Sequence, residues 1–274
     1  MPPTAPPRPR SARSPASTSA SASSGASAEP AVLRLALFDL DDTLFAHARA
    51  VREGIVAYAA SLGAAYDADP LDVQHRWHLL EEEHYHRYLA GKLDYEGQRR
   101  ARATAFAAAV GVALTPEEAS SWFRGYLAHY VAAWTLHDDA LPVLDRLNAA
   151  EIRIGIITNG VLDFQLGKIE GTGLVDRIEH VIASGDVGVA KPDARIFAVA
   201  CKRFGVAPAD ALYVGDRLGT DAIGAATAGL RGVWLDRVGG PEHGRTLPPE
   251  ALALDVRRIG GLDELDAQLE LPEA

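Results

Sequence analysis

Two aspartates one residue apart close the first strongly apolar run of the chain, in Phe38-Asp39-Leu40-Asp41-Asp42-Thr43. Alternate residues of an extended chain share a face, so Asp39 and Asp41 project together while Leu40 turns aside. Carboxylates held that close repel, and a divalent cation is the simplest group to offset them. Three further blocks end apolar runs in a similar way. Ile156-Ile157-Thr158-Asn159-Gly160 offers a hydroxyl and free backbone N–H groups, a natural anion cradle. Lys191, just before Pro192, can balance the acids and hold a phosphate oxygen as a point charge. Asp216 directly follows the run ending at Val214-Gly215, and Asp221 lies one helical turn further on, where it can point back to the same place. Taken singly, each block has a plainer reading. Acidic strand ends start loops, Asn-Gly marks turns, a lone lysine is usually solvated, and Asp221 can cap a helix. Capping leaves Asp216 unexplained, and four such blocks favour one common site.

The runs that deliver these residues are short and nearly continuously apolar: Val32 to Phe38, Ile152 to Ile157, His180 to Ala183, Ala211 to Val214 and Gly232 to Leu235. They read as strands buried on both faces of a parallel sheet. Helical patterns lie between them at Leu141 to Ala149, Leu162 to Ile169, Ala194 to Phe204 and Thr220 to Ala228. This alternation predicts an α/β fold with a doubly wound, mostly parallel, Rossmann-like sheet whose ligands bind beyond the carboxyl ends of the strands. The alternation fails between residues 46 and 136. There Val51, Ile55, Tyr58 and Leu62, then Val73, Trp77, Leu80 and His84, recur at helical spacing. Further helices are expected over Tyr95 to Val110 and Pro116 to Trp134, the latter opened by a Thr115/Glu118 capping box. The expected organisation is a catalytic core over 31–45 and 137–274 with an all-α cap inserted at 46–136. The end of the chain predicts a loop from Gly239 to Pro249, a short strand near Ala253 to Val256 and a last helix near Leu262 to Leu269.

Bulk properties narrow the partners. The 274 residues are 48% apolar and carry a net charge of −10. That is enough chain for a large core plus a smaller domain. The acidic body disfavours nucleic acid and anionic membrane as partners, so an anionic ligand must be met by a local cation or metal. No apolar run approaches the ~20 residues of a membrane span. A single cysteine, Cys201, excludes an intrachain disulfide and fits a reducing cytoplasm. Residues 1–30 contain no Leu, Ile, Val or aromatic residue and lack the apolar stretch of a secretory signal, so a disordered Pro/Ser/Ala-rich tail is expected. The expected protein is soluble and cytoplasmic, either a monomer or a homodimer.

Asp-x-Asp-x-Thr, Ile-Thr-Asn-Gly, Lys-Pro and Gly-Asp-(x)4-Asp, in this order from Val32 to Asp236, resemble the haloacid dehalogenase-like hydrolase superfamily. The resemblance includes the helical cap after the first block. It implies a magnesium-dependent phosphatase in which Asp39 is the nucleophile and forms an aspartyl-phosphate. Asp41 would protonate the leaving alcohol and then accept a proton from water. Magnesium would be held by the Asp39 carboxylate, the Asp41 backbone carbonyl and Asp216, with Asp221 orienting that shell. Thr158, Lys191 and backbone N–H groups of Leu40 to Asp42 and Asn159 to Gly160 would hold the phosphoryl group. Members that dehalogenate lack the second aspartate, and Asp41 is present. The implied substrate is a small phosphorylated metabolite such as a nucleotide, a sugar phosphate or phosphoglycolate. A phosphotransferase or mutase would share the intermediate. A phosphate-binding regulatory module fits less well, because a receiver domain spreads its acids over different strands and no acid is missing here. In the cap, His75, His78, His84 and His86 lack zinc-site spacing. Tyr85, Tyr88 and Tyr95 could stack on a base or sugar, while Trp77, Trp122, Trp134 and Cys201 read as packing.

Overall fold

The computed structural model of the chain describes residues 33–237 and 246–265. The expected tail, most of the Gly239 to Pro249 loop and the end of the last expected helix lie outside the described residues. Four helices follow the first strand β1 (Leu35–Phe38): α1 (His47–Ser61), α2 (Pro70–Leu89), α3 (Tyr95–Ala108) and α4 (Pro116–Ala132). Their starts obey local chemistry. The Asp69 and Asp94 side chains accept N–H bonds from Leu71 and Gly97, and the Thr115/Glu118 capping box is fully formed. The four pack around Trp77, which is completely buried and lies 5.6 Å from Phe106, 5.6 Å from Trp122 and 4.5 Å from Tyr126, ring centre to ring centre. Where α1 crosses α4 the backbones nearly touch. A Cβ on Gly54 would sit 2.7 Å from the Tyr130 Cα, so only glycine permits that approach.

This helical excursion leaves and rejoins the rest of the chain at one neck. Phe45 forms an antiparallel bridge with Leu136, flanked by bonds from Ala46 N–H to the Thr135 carbonyl and from His137 N–H to the Leu44 carbonyl, both 3.0 Å.

The remaining elements are α5 (Ala140–Ala149), β2 (Arg153–Thr158), α6 (Leu162–Gly171), β3 (His180–Ala183), α7 (Ser184–Val187), α8 (Ala194–Phe204), β4 (Ala211–Gly215), α9 (Gly224–Thr227), β5 (Arg231–Leu235), α10 (Pro249–Ala253) and β6 (Arg257–Ile259). The six strands form one all-parallel sheet in the order β3-β2-β1-β4-β5-β6. The chain winds outward from β1 to β3, then crosses back to place β4 on the other flank of β1. The order therefore reverses between β1 and β4, where a doubly wound sheet opens its ligand crevice. Phe38 lies abreast of Ile156 and Val214, so Asp39, Thr158 and Asp216 emerge together at one rim. β1 is wholly buried, as its uninterrupted apolar run demands.

Three expectations need correction. No strand covers Ala253 to Val256: Pro249 opens the short helix α10, and the strand is Arg257–Ile259. That strand pairs only with β5 and buries only Ile259, so two arginines masked it in the sequence. The helix expected at Thr220 begins earlier, as a π-type turn over Leu218–Ile223, before tightening into α9. At the expected last helix, Leu262–Glu264 is a 3-10 turn. Trp77, Trp122, His84 and Cys201 are buried, and Trp134 is half-buried. No helix among the described residues is long and apolar enough to cross a membrane.

Candidate active site

Lys191 is the hub of the rim. Its Nζ donates to Asp39 Oδ1 at 2.6 Å, Asp221 Oδ1 at 2.7 Å and the Tyr213 hydroxyl at 2.6 Å, using all the protons of the ammonium. Tyr213 passes a bond on to the Ile157 carbonyl at 3.0 Å. The π-type turn swings Asp221 back under the sheet, where its second oxygen accepts the Arg217 N–H at 3.0 Å. Burial pulls against the Lys191 charge, but Asp39 and Asp221 outweigh it and hold the amine above its ordinary range.

The lysine's backbone is fixed from β2. Asn159 Nδ2 donates to the Lys191 carbonyl at 3.0 Å, and the Lys191 N–H donates to Asn159 Oδ1 at 2.9 Å. The Asn159 side chain is thus committed to holding the loop that carries Lys191, which leaves the expectation for its backbone N–H untouched. Asp42 corrects one expectation, since its N–H is spent on the Phe45 carbonyl at 2.7 Å. Its own carboxylate accepts the Ala48 N–H at 2.8 Å, near the start of α1. The tight curl this requires puts Asp42 at φ 59, a left-handed conformation that Asp tolerates better than most residues.

Asp39, Asp216 and Asp221 each present an oxygen within 4.8 Å of one another. Burial pushes Asp39 up to about 8, against the pull of Lys191 and with help from Asp221, Asp216 and Asp41. Burial first, then Asp221 and Asp42, pushes Asp216 up to about 7. One ammonium cannot neutralise this many acids, and the surplus negative charge suits a divalent cation. The donor set fits magnesium. The second Asp39 oxygen and the Asp216 carboxylate receive no hydrogen bond among the described residues, and both are hard oxygens. Both Asp221 oxygens are already engaged, which suits a supporting position better than a direct ligand.

A pH-dependent metal effect follows. A carboxyl whose folded pKa exceeds its unfolded value costs stability as pH rises between the two. For Asp39 and Asp216 that window runs from the ordinary carboxyl value of 3.8 to about 8 and about 7, respectively. A divalent cation held there would compete with protons for the same oxygens. Thermal melts with Mg²⁺ and with EDTA should therefore diverge little at acid pH and widely at alkaline pH. A metal-induced shift that ignores pH would place the ion elsewhere.

Asp41 lies apart from the acidic trio. Lys168 Nζ contacts its two oxygens at 2.6 and 2.9 Å, Gln165 Nε2 donates to Oδ2 at 3.2 Å, and His47 Nδ1 stands 3.9 Å from Oδ1. Burial alone would raise this carboxyl; Lys168 first, then His47 and the hydrogen bonds, reverse that and hold it below the usual range. The expected repulsion between Asp39 and Asp41 is thus answered by a separate lysine for each acid. Thr158 is buried, and its hydroxyl accepts from Gln165 Nε2 at 2.6 Å while retaining its own proton to donate. Gly160 lies at the same rim, where its carbonyl accepts the Gly185 N–H at 3.0 Å.

Sequence reasoning overlooked Lys168, Gln165, Tyr213 and His47. One signal existed: Gln165 and Lys168 are three apart on a helix that must pack against the sheet, so two polar side chains share its inner face.

The sequence model of the haloacid dehalogenase-like hydrolases matches residues 33–229. A phosphoserine phosphatase of Thermus thermophilus is 40% identical over 132 residues, covering 48% of this chain and 50% of that enzyme, so the chain spans half the length of that relative. The N-acylneuraminate-9-phosphatase of Rattus norvegicus is 30% identical over 219 residues, covering 76% of this chain and 84% of that enzyme. The magnesium-bound hydrolase YfnB of Bacillus subtilis shares the fold at a TM-score of 0.70 and 21% identity, over 88% of this chain and 100% of its own. With its acids gathered at the switch point of a sheet that this match spans through β4, the chain belongs to the haloacid dehalogenase-like hydrolases.

Proposed function

We propose that this hydrolase is a magnesium-dependent phosphatase acting on a small phosphate monoester through an aspartyl-phosphate on Asp39. The observation that carries this reading is Asp39 itself: buried at the switch point, one oxygen fixed by Lys191 and the other open beside Asp216. One Asp39 oxygen attacks phosphorus while the other faces the cation, and the bond from phosphorus to the ester oxygen breaks. Asp41 gives its proton to the departing oxygen, then takes one from the water that attacks phosphorus and releases Asp39. Asp41 is already a carboxylate beside Lys168, the state the second half needs. The charge of an incoming phosphate raises its proton affinity for the first half. The Thr158 hydroxyl and backbone N–H groups at Asn159 and Gly160 hold phosphoryl oxygens, and Lys191, its protons already engaged, attracts the phosphoryl group as a point charge. Magnesium, held by Asp39, Asp216 and the Asp41 carbonyl, would neutralise charge on the transferring group.

The four helices act as a cap that selects the substrate. His47, the first residue of α1, stands 3.9 Å from Asp41, so the helices reach the rim. The relatives' substrates, phosphoserine and N-acylneuraminate 9-phosphate, support a small phosphorylated metabolite. A single buried cysteine suits a reducing cytoplasm. The test is phosphate release from a panel of phosphorylated metabolites. Turnover should stop with EDTA and return with Mg²⁺. Isomerised product without free phosphate would make the protein a mutase, and undiminished turnover in EDTA would refute the metal requirement.

A further inference from the structure

We propose that Lys168, assisted by Gln165, is a positioning residue that aims the Asp41 carboxylate at the ester oxygen. This rests on the reading of Asp41 as proton donor and acceptor. Lys168 is a buried cation, its side chain 3% exposed, with Nζ 5.1 Å from the Phe45 ring centre and 5.2 Å from that of Phe164. An ammonium in such surroundings needs a carboxylate partner, and Asp41 is the one it has among the described residues. The contact is two-pronged, at 2.6 and 2.9 Å, so it fixes the rotation of the carboxylate as well as its position. Gln165 adds a bond at 3.2 Å to one oxygen and ties it to Thr158 through a second bond at 2.6 Å. The opposite amide orientation would set an oxygen against the carboxylate, so the donor must face Asp41.

The division of labour follows from where each lysine is anchored. Asp41 sits in the turn after β1, its side chain 31% exposed, with little of its own packing to fix it. Lys168 and Gln165 project from α6, which is seated on the sheet, and so lend the turn the rigidity of a helix. Lys191 serves Asp39, the nucleophile; Lys168 serves Asp41, the proton carrier. Each acid keeps to its own side of the rim.

An aimed proton donor matters in proportion to the basicity of the leaving group. p-Nitrophenolate departs readily without a proton, whereas the alkoxide of glycerol 3-phosphate does not. Lys168→Met should therefore lower kcat/KM on glycerol 3-phosphate, which reports the first half of the reaction, by about 10²-fold, the scale of a misplaced general acid. On p-nitrophenyl phosphate the loss in kcat/KM should stay below about fivefold, whereas kcat, which includes the shared second half, should fall on both esters. Gln165→Leu strands no charge and should show the same selectivity at smaller size, which guards against a folding artefact in the lysine variant. In an Asp41→Asn background, Lys168→Met should cost less than about threefold more, because the two residues act as one unit. Equal losses in kcat/KM on both esters for Lys168→Met, or a full additional loss in the double variant, would overturn the inference. Equal losses for Asp41→Asn itself would instead overturn the role of Asp41 beneath it.

Discussion

Asp39→Asn protein should fold, melt no lower than wild type when metal-free, and release no measurable phosphate. The loss of activity follows from removing the attacking oxygen, for which the pocket offers no substitute. A fall of at least about 10⁴-fold in kcat is expected, because nucleophile loss leaves only positioning behind. The stability result is the more discriminating half. Burial pushes Asp39 up to about 8, so the ionised side chain costs folding energy at neutral pH. An amide of the same shape removes that cost, and Lys191 keeps Asp221 and Tyr213 as partners. Phosphate-release assays and calorimetry read the two halves separately. Retained turnover would move the nucleophile elsewhere. A melt several degrees lower would mean that the Asp39–Lys191 pair is a net stabiliser.

Lys191→Met should fail in the opposite manner, losing both activity and stability. Asp221 is 1% exposed and Asp39 7%, and the variant leaves both without their cation. Stranding buried charge in this way costs about 3–5 kcal/mol, much of the stability of an ordinary domain. The defect carries a pH signature. Without the ammonium Asp39 binds its proton more tightly in the folded state, so stability returns as pH falls and vanishes as it rises. Urea unfolding at two pH values either side of neutrality would show the gap to wild type closing on the acid side. A gap independent of pH would trace the damage to lost packing. Adding Asp39→Asn to Lys191→Met should recover part of the loss, since the two sites share one interaction.

What the sequence disclosed and what it hid divide along a physical line. Asp39, Thr158 and Asp216 were legible because each ends a strand whose apolar run announces both itself and its terminus. The capping box at Thr115 and the helix beginning at Tyr95 were legible for the same local reason. Lys168 was not, because its meaning depends on an aspartate 127 positions away. Tyr213 lies within the apolar run Ala211 to Val214 and drew no notice there, although its hydroxyl donates to a carbonyl of β2, on the far side of β1, and receives Lys191. The Asn159 side chain's grip on the Lys191 backbone was hidden too, because it joins two segments 32 positions apart. β6 escaped because an edge strand of three residues with two arginines has no periodicity to detect.

The bridge between Phe45 and Leu136 has a bearing on how such proteins diversify. A segment whose two ends already touch can be excised, lengthened or exchanged without stretching the chain that remains, because loop length adds little to the closure cost. Strand register and the acids at the rim are set elsewhere. A lineage can thus replace one helical insertion by another while the acids at the rim are inherited intact.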